Sequence, residues 1–171
     1  GRVTLVQISN PSRTRVPEYA REREQVEMLV GQINGKFSVA GWVPVRYLYR
    51  SFSQGELAGF YHDADVGMVT PLRDGMNLIA KEFVAAQGDN PGVLLLSKFS
   101  GAADELTDAV LVNPYDNDGT AELLYQALRM SRDERARRWK SLMQVVRGNT
   151  AQDWGQRFHD DLVRSDQEAR E

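Results

Sequence analysis

Five short, largely apolar runs alternate with segments of helical spacing, and this alternation restricts the chain to very few folds. The runs are Val3 to Ile8, Val43 to Tyr49, Val66 to Thr70, Val93 to Leu96 and Val110 to Val112. Each is apolar on successive residues rather than every second one, the pattern of a strand that loses both faces to covering layers. Between them, Val26, Leu29, Val30 and Ile33 recur at helical spacing within Glu18 to Gly35, where Gly35 is placed as a C-cap. Ser53 and Glu56 form a capping box for a short helix reaching about His62, and Asn77 is an N-cap for a helix reaching Gln87. Three helical stretches close the chain, at about 118 to 130, 132 to 147 and 151 to 165, the second opened by the capping box Ser131 to Glu134. The expected fold is α/β: one Rossmann-like parallel sheet with helices on both faces and a helical C-terminal third, in a single domain over residues 1–171. Ligands of such sheets bind beyond the carboxyl ends of strands, which points to the loops 9–17, 50–55, 70–78 and 97–103.

Composition narrows the chemistry. A net charge of -3 argues against nucleic acid as a partner, because binding a phosphate backbone requires a basic face. No run approaches the roughly 20 apolar residues that cross a bilayer, and Gly1 to Thr4 lacks signal-peptide architecture, so the expected setting is cytoplasmic and off the membrane. With no cysteine and only His62 and His159, thiol chemistry is excluded and a zinc centre is not expected. Carboxylates, amides, arginine and lysine must carry whatever chemistry there is. The three tryptophans, Trp42, Trp139 and Trp154, read as packing anchors rather than sugar platforms.

The most informative stretch is Thr70-Pro71-Leu72-Arg73-Asp74-Gly75-Met76-Asn77-Leu78-Ile79-Ala80-Lys81-Glu82, which joins a buried strand to a helix. Gly75 lets a ligand approach the backbone, and the first N–H groups of the following helix point toward an oxyanion that the helix dipole favours. Glu82, about one turn into the helix, has two acceptor oxygens suited to adjacent hydroxyls such as those of a ribose, and Asp74 has the same capacity toward a hexose. The plainer alternative stays open on spacing alone. Asp74-Gly75 is then an ordinary turn, Asn77 a helix cap, and Lys81-Glu82 a solvated helix start.

Residue identity adds a resemblance. The run above, together with Asn34-Gly35-Lys36-Phe37, Gly41-Trp42-Val43-Pro44, Asp65 to Val69, Pro91 to Leu94, Phe99 to Ala103 and Val112 to Asp116, resembles the trehalose-6-phosphate synthase family, in its order and over nearly the whole chain. The resemblance implies a retaining glycosyltransferase of two-domain GT-B architecture that moves glucose from a nucleotide diphosphate, UDP-glucose first, to glucose 6-phosphate. It makes Asp74 the catalytic candidate, as a binder of a glucosyl hydroxyl and not as a nucleophile. Gly75, Met76 and Asn77 then contribute backbone contacts to sugar and phosphates, with Leu78 and Ile79 beside the diphosphate and Glu82 on the ribose. Phe52 and Leu57 match positions that present the nucleobase, and Arg13 matches an arginine on the acceptor phosphate. Read without the resemblance, Phe52 and Leu57 are core residues, and Arg13 is a solvated loop arginine.

The same resemblance implies no cofactor and no essential metal. It also implies partners beyond this chain: an N-terminal domain that holds most of the acceptor site, and an upstream loop that grips the donor diphosphate. On that reading residues 1–171 are a donor domain incomplete at its N-terminal side, inactive alone and expected to expose apolar surface near the last helices, which leaves a homo-oligomer open. Two other function classes stay in view: a non-catalytic nucleotide-sugar binding module, and a related synthase such as one making glucosylglycerol phosphate. The donor base is not legible.

Overall fold

A computed structural model describes residues 2–12 and 16–168, with side chains up to Ser165. The chain divides into two compact units, Gly1–Gln54 and Gly55–Glu171.

In the first unit, strand β1 (Leu5–Ser9) pairs in parallel with β2 (Val45–Tyr49), Leu5 opposite Val45 and Ser9 opposite Tyr49. Helix α1 (Pro17–Phe37) connects them as a crossover, begun by Pro17 in its first turn and closed at Ser38, whose N–H donates to the Asn34 carbonyl. Gly35 is therefore an interior helix residue and not the expected C-cap. The reason is Asn34, whose side chain donates to the Val45 carbonyl at 2.9 Å and accepts from the Val45 N–H at 3.0 Å, pinning the last turn to β2. The stripe turned inward is Val26, Val30 and Asn34, while Leu29 and Ile33, expected to belong to it, are exposed. Trp42 donates from its indole to the Thr4 hydroxyl at 2.9 Å.

The second unit holds a parallel sheet in the order β3 (Val66–Val69), β4 (Val93–Ser97), β5 (Val110–Val112). Every residue of β4 is buried. Leu94 and Leu96 enter one apolar cluster with Phe83 and Val84 of helix α3 (Leu78–Ala86) and Leu142 of α6 (Arg132–Gly148). Val93 and Leu95 enter another with Ala127, Leu123 and Leu124 of α5 (Asn117–Leu128). Helices thus cover both faces, as the continuous apolar runs require. Within this unit α2 (Gln54–Asp63) precedes β3, and a four-residue helix, α4 (Ala102–Glu105), follows β4. Helix α7 (Ala151–Glu168) ends the described chain and carries exposed Trp154 stacked on Phe158, so that Trp154 is not a buried anchor. Trp139, by contrast, donates to the Val84 carbonyl at 3.0 Å across the core. Among the described residues no helix is long and apolar enough to cross a membrane.

Helix α6 starts on the predicted Ser131, whose hydroxyl accepts from the Glu134 N–H. The Glu134 carboxylate meets Arg137 and Arg138, each at 2.8 Å. Their hydrogen bonds, Arg137 first, hold its pKa down to about 2. A carboxylate lowered by folding contributes stability above its ordinary pKa and loses it as the pH falls through the folded value. Glu134→Gln is therefore expected to lower the urea midpoint at pH 6, with the difference from wild type vanishing toward pH 2. An unchanged midpoint at pH 6 would show the bridge to be inert, as many exposed pairs are.

Candidate functional site

Because β3 and β4 are parallel, their carboxyl ends meet at one edge of the sheet, and the loops that leave them, 70–77 and 98–101, run side by side there. Asp74 and Ser100 form a parallel bridge between them. The Asp74 N–H donates to the Phe99 carbonyl at 3.1 Å, the Gly101 N–H to the Asp74 carbonyl at 3.0 Å, and the Ala102 N–H to the Met76 carbonyl at 2.8 Å. The Ser100 hydroxyl adds a bond to Met76 at 3.2 Å. The contact is close enough that only glycine fits opposite Gly75, since a Cβ on Gly101 would lie 2.2 Å from the Gly75 carbonyl oxygen.

Inside the first loop, one Asp74 oxygen accepts from the Met76 N–H at 3.1 Å and the other from the Asn77 amide at 3.0 Å. Asn77 in turn caps α3 by accepting from the Ala80 N–H at 2.9 Å. It takes the left-handed backbone, φ 78°, which asparagine tolerates better than most side chains. The turn and cap of the plainer reading are thus present. They do not exhaust the site, because an ionised carboxylate has about four acceptor positions and Asp74 uses two of them here. Leu78 and Ile79 stand exposed on the first helical turn, where N–H groups lack an acceptor within the helix. Gly75 is exposed, and Met76 and Asn77 are half-buried.

Glu82 follows one turn later, exposed on α3 between two residues with other tasks. Lys81 turns to Glu105 of α4 at 2.8 Å, and Phe83 is buried against Gly67 of β3. The Tyr61 hydroxyl of α2 reaches Glu82 Oε2 at 3.4 Å. Burial pushes the Tyr61 phenol above its usual pKa, and the Glu82 charge raises it further, so at neutral pH it is a donor.

Of the sequence-predicted residues, Asp74, Gly75, Met76, Asn77, Leu78, Ile79 and Glu82 therefore lie along one loop and the helix it opens. Leu57 is half-buried on α2. Phe52 belongs to the first unit, half-buried with the Arg50 guanidinium 4.3 Å above its ring. Arg13 lies outside the described residues. Sequence reasoning assigned no role to Tyr61 or Gly101. Gly101 stood within a quoted motif, whereas no local signal marked Tyr61. Among the described residues no cluster of three or more histidines and carboxylates could hold a metal ion. The arrangement can accept hydrogen bonds from hydroxyls at Asp74 and Glu82 and offer helix-terminal N–H groups to an anion. Both oxygens of Asp74 are engaged by its own loop, which holds the carboxylate in place.

Known proteins similar to this chain fall in one family. The model of glycosyltransferase family 20 matches residues 1–164. The trehalose-6-phosphate synthase of Sinorhizobium fredii is 48% identical over 166 residues, which are 96% of this chain and 36% of that relative. Among solved structures, the trehalose-6-phosphate protein from E. coli bound with UDP-2-fluoro glucose has a TM-score of 0.91 at 48% identity, over 95% of this chain and 36% of that one. The UDP-forming α,α-trehalose-phosphate synthase of Burkholderia xenovorans in complex with glucose 6-phosphate has a TM-score of 0.91 at 46% identity, over 94% of this chain and 36% of that one. The chain spans about a third of the length of the relatives it matches.

Proposed function

The chain belongs to glycosyltransferase family 20, and from that premise we propose that it supplies the donor side of an enzyme that transfers glucose from UDP-glucose to glucose 6-phosphate with retention, giving trehalose 6-phosphate. The carrying observation is the loop and helix start that align Asp74, the first N–H groups of α3 and Glu82 in that order along one edge. Hexose, diphosphate and ribose follow one another in the same order in a nucleotide sugar. The similar E. coli and Burkholderia structures, bound with UDP-2-fluoro glucose and with glucose 6-phosphate, support both substrates.

On this reading Asp74 binds a glucosyl hydroxyl, Gly75 to Ile79 face the sugar and diphosphate, and Glu82 accepts from the ribose. Leu57 and Phe52 contribute to nucleobase recognition, and Arg13 meets the acceptor phosphate, where a bidentate guanidinium suits a phosphate dianion. The rest of the acceptor site belongs to the part of the relatives' length that this chain does not match, a companion N-terminal domain. The reaction then needs no protein nucleophile. As the bond from the sugar C1 to the diphosphate breaks, the acceptor hydroxyl bonds C1 from the same face and passes its proton to the departing phosphate oxygen. The protein's contribution is positioning and stabilisation of the leaving charge. An oxyanion at the start of α3 is where the helix dipole acts.

Calorimetric titration of the chain with UDP-glucose, GDP-glucose and UDP tests the proposal. Losing a hydrogen bond to a charged group typically weakens binding about 10- to 100-fold. Glu82→Ala is expected to weaken UDP-glucose and UDP by that factor. Asp74→Ala is expected to weaken UDP-glucose and leave UDP within about threefold, because its partner is on the hexose. Equal losses for UDP and UDP-glucose in Asp74→Ala would remove Asp74 from the sugar. Absence of binding to the folded chain would withdraw the donor-site assignment for these residues.

A further inference from the structure

Lys81, Glu82 and Phe83 follow one another on α3, and each has a partner on a different element: Glu105 of α4, Tyr61 of α2 and Gly67 of β3. The partner of Glu82 is itself held from several sides. The Tyr61 backbone carbonyl accepts from the Gln87 side-chain amide, and Gln87 is buried, its own amide oxygen taking the Gly92 N–H at 2.6 Å. The Tyr61 ring meets Phe83 edge-on, with centroids 6.4 Å apart and planes at 76°, and Phe83 is only 2% exposed. Backbone and ring of Tyr61 are thus fixed by buried neighbours, while its hydroxyl emerges at an exposed carboxylate. The direction of that bond is settled by chemistry, since an ionised carboxylate only accepts.

A surface glutamate otherwise samples several side-chain rotamers, and ordering one costs conformational entropy. A hydroxyl anchored on a rigid ring reduces that cost before any ligand arrives. We propose that Tyr61 is a positioning residue for Glu82: by donating to Oε2 it fixes the carboxylate to receive the vicinal hydroxyls of a ribose, and so sets the preference of the site for ribonucleotides over 2′-deoxyribonucleotides. This rests on the reading of Glu82 as the ribose acceptor. Tyr61 touches no ligand in this account and acts through the carboxylate alone.

The experiment measures dissociation constants of the chain for UDP and for 2′-deoxy-UDP by calorimetry, in the wild type, Tyr61→Phe, Glu82→Gln and the double variant. Phenylalanine keeps the ring against Phe83, and an unchanged far-UV spectrum and melting temperature confirm the fold. Sparing the complex the ordering of one side chain corresponds to about a 3- to 10-fold change in binding. Tyr61→Phe is expected to weaken UDP by that factor and leave 2′-deoxy-UDP within about twofold, shrinking the ratio of the two. In the Glu82→Gln background, Tyr61→Phe is expected to change the ratio no further. Equal weakening of both nucleotides would make Tyr61 a structural residue and overturn the inference. If Glu82→Gln collapses the ratio and Tyr61→Phe leaves it at the wild-type value, the inference fails while the donor reading stands. A ratio unmoved by Glu82→Gln, or no nucleotide binding by the wild type, overturns the donor reading and this inference with it.

Discussion

Replacing Leu96 by alanine is expected to destabilise the second unit by about 2–5 kcal/mol, the usual range for deleting a buried leucine side chain to Cβ in a core that relaxes only in part. Leu96 has no solvent exposure, and it packs with Phe83, Val84 and Leu142 between the sheet and helices α3 and α6. Phe83, one of the largest neighbours in that cluster, is already wedged against Gly67, which limits collapse into the space. Leu95→Ala should lose a similar amount through a different set of neighbours, since the same strand turns Leu95 into the cluster under α5. Leu78→Ala, on a residue 60% exposed, should change stability by less than about 0.5 kcal/mol. Domains of this size hold only about 5–15 kcal/mol of net stability, so either core variant removes a large share of it. Urea unfolding followed by fluorescence provides the comparison. A loss below about 1 kcal/mol for Leu96→Ala would mean that the strand is not the closed centre its burial indicates.

The consequence reaches the site, because the residue after Leu96 is the last of β4 and the loop that leaves it carries Gly101. Destabilised packing at the end of β4 loosens what Asp74 is tied to.

The central strand was legible because a parallel strand covered on both faces leaves an unbroken apolar run, and Val93 to Leu96 is such a run. Helix starts were legible where one side chain does the capping, as Asn77 and Ser131 do. Gly35 misled for a physical reason. A glycine past an apolar stripe normally ends a helix, but Asn34 fastens the final turn to Val45, a contact eleven residues away that no local pattern announces. Helix α4 is four residues long, too short to show a period. Among the described residues the five strands fall into two parallel sheets, a division set by pairing between distant segments that strand sequences do not specify. The site divides the same way. Asp74 to Glu82 could be read because they are contiguous, so one loop and one helix phase fix their relation. Tyr61 and Gly101 lie 21 residues from Glu82 and 26 from Gly75 and come beside them only once the chain folds. The roles of Phe52, Leu57 and Arg13 came from resemblance alone.

Gly101→Ala is expected to be the most damaging single-methyl change at the site. The backbone of Gly101 has φ -58° and ψ -26°, a conformation that alanine adopts freely, so the effect is one of space and not of strain at that residue. The added Cβ would stand 2.2 Å from the Gly75 carbonyl oxygen and 2.9 Å from the carbonyl carbon. Both are backbone atoms and cannot turn aside as a side chain does. The loops must separate, and the bonds that join them, Gly101 to Asp74 and Ala102 to Met76, lengthen together. Overpacking of this kind costs about 1–3 kcal/mol, and the weakened hydrogen bonds add about 1 kcal/mol each. The melting temperature should fall, and UDP-glucose affinity should fall more than tenfold on the order expected for displaced polar contacts, because Asp74 and Met76 move with the loop. Gly75→Ala separates the two effects. A Cβ there meets no atom within 4 Å, so its stability should match wild type, and any lost affinity reports crowding of the ligand alone. Scanning fluorimetry and UDP-glucose calorimetry on both variants decide the matter. A Gly101→Ala chain that binds UDP-glucose as tightly as wild type would show that the join between the loops does not set the position of Asp74, and the site would then have to be built from the 70–77 loop by itself.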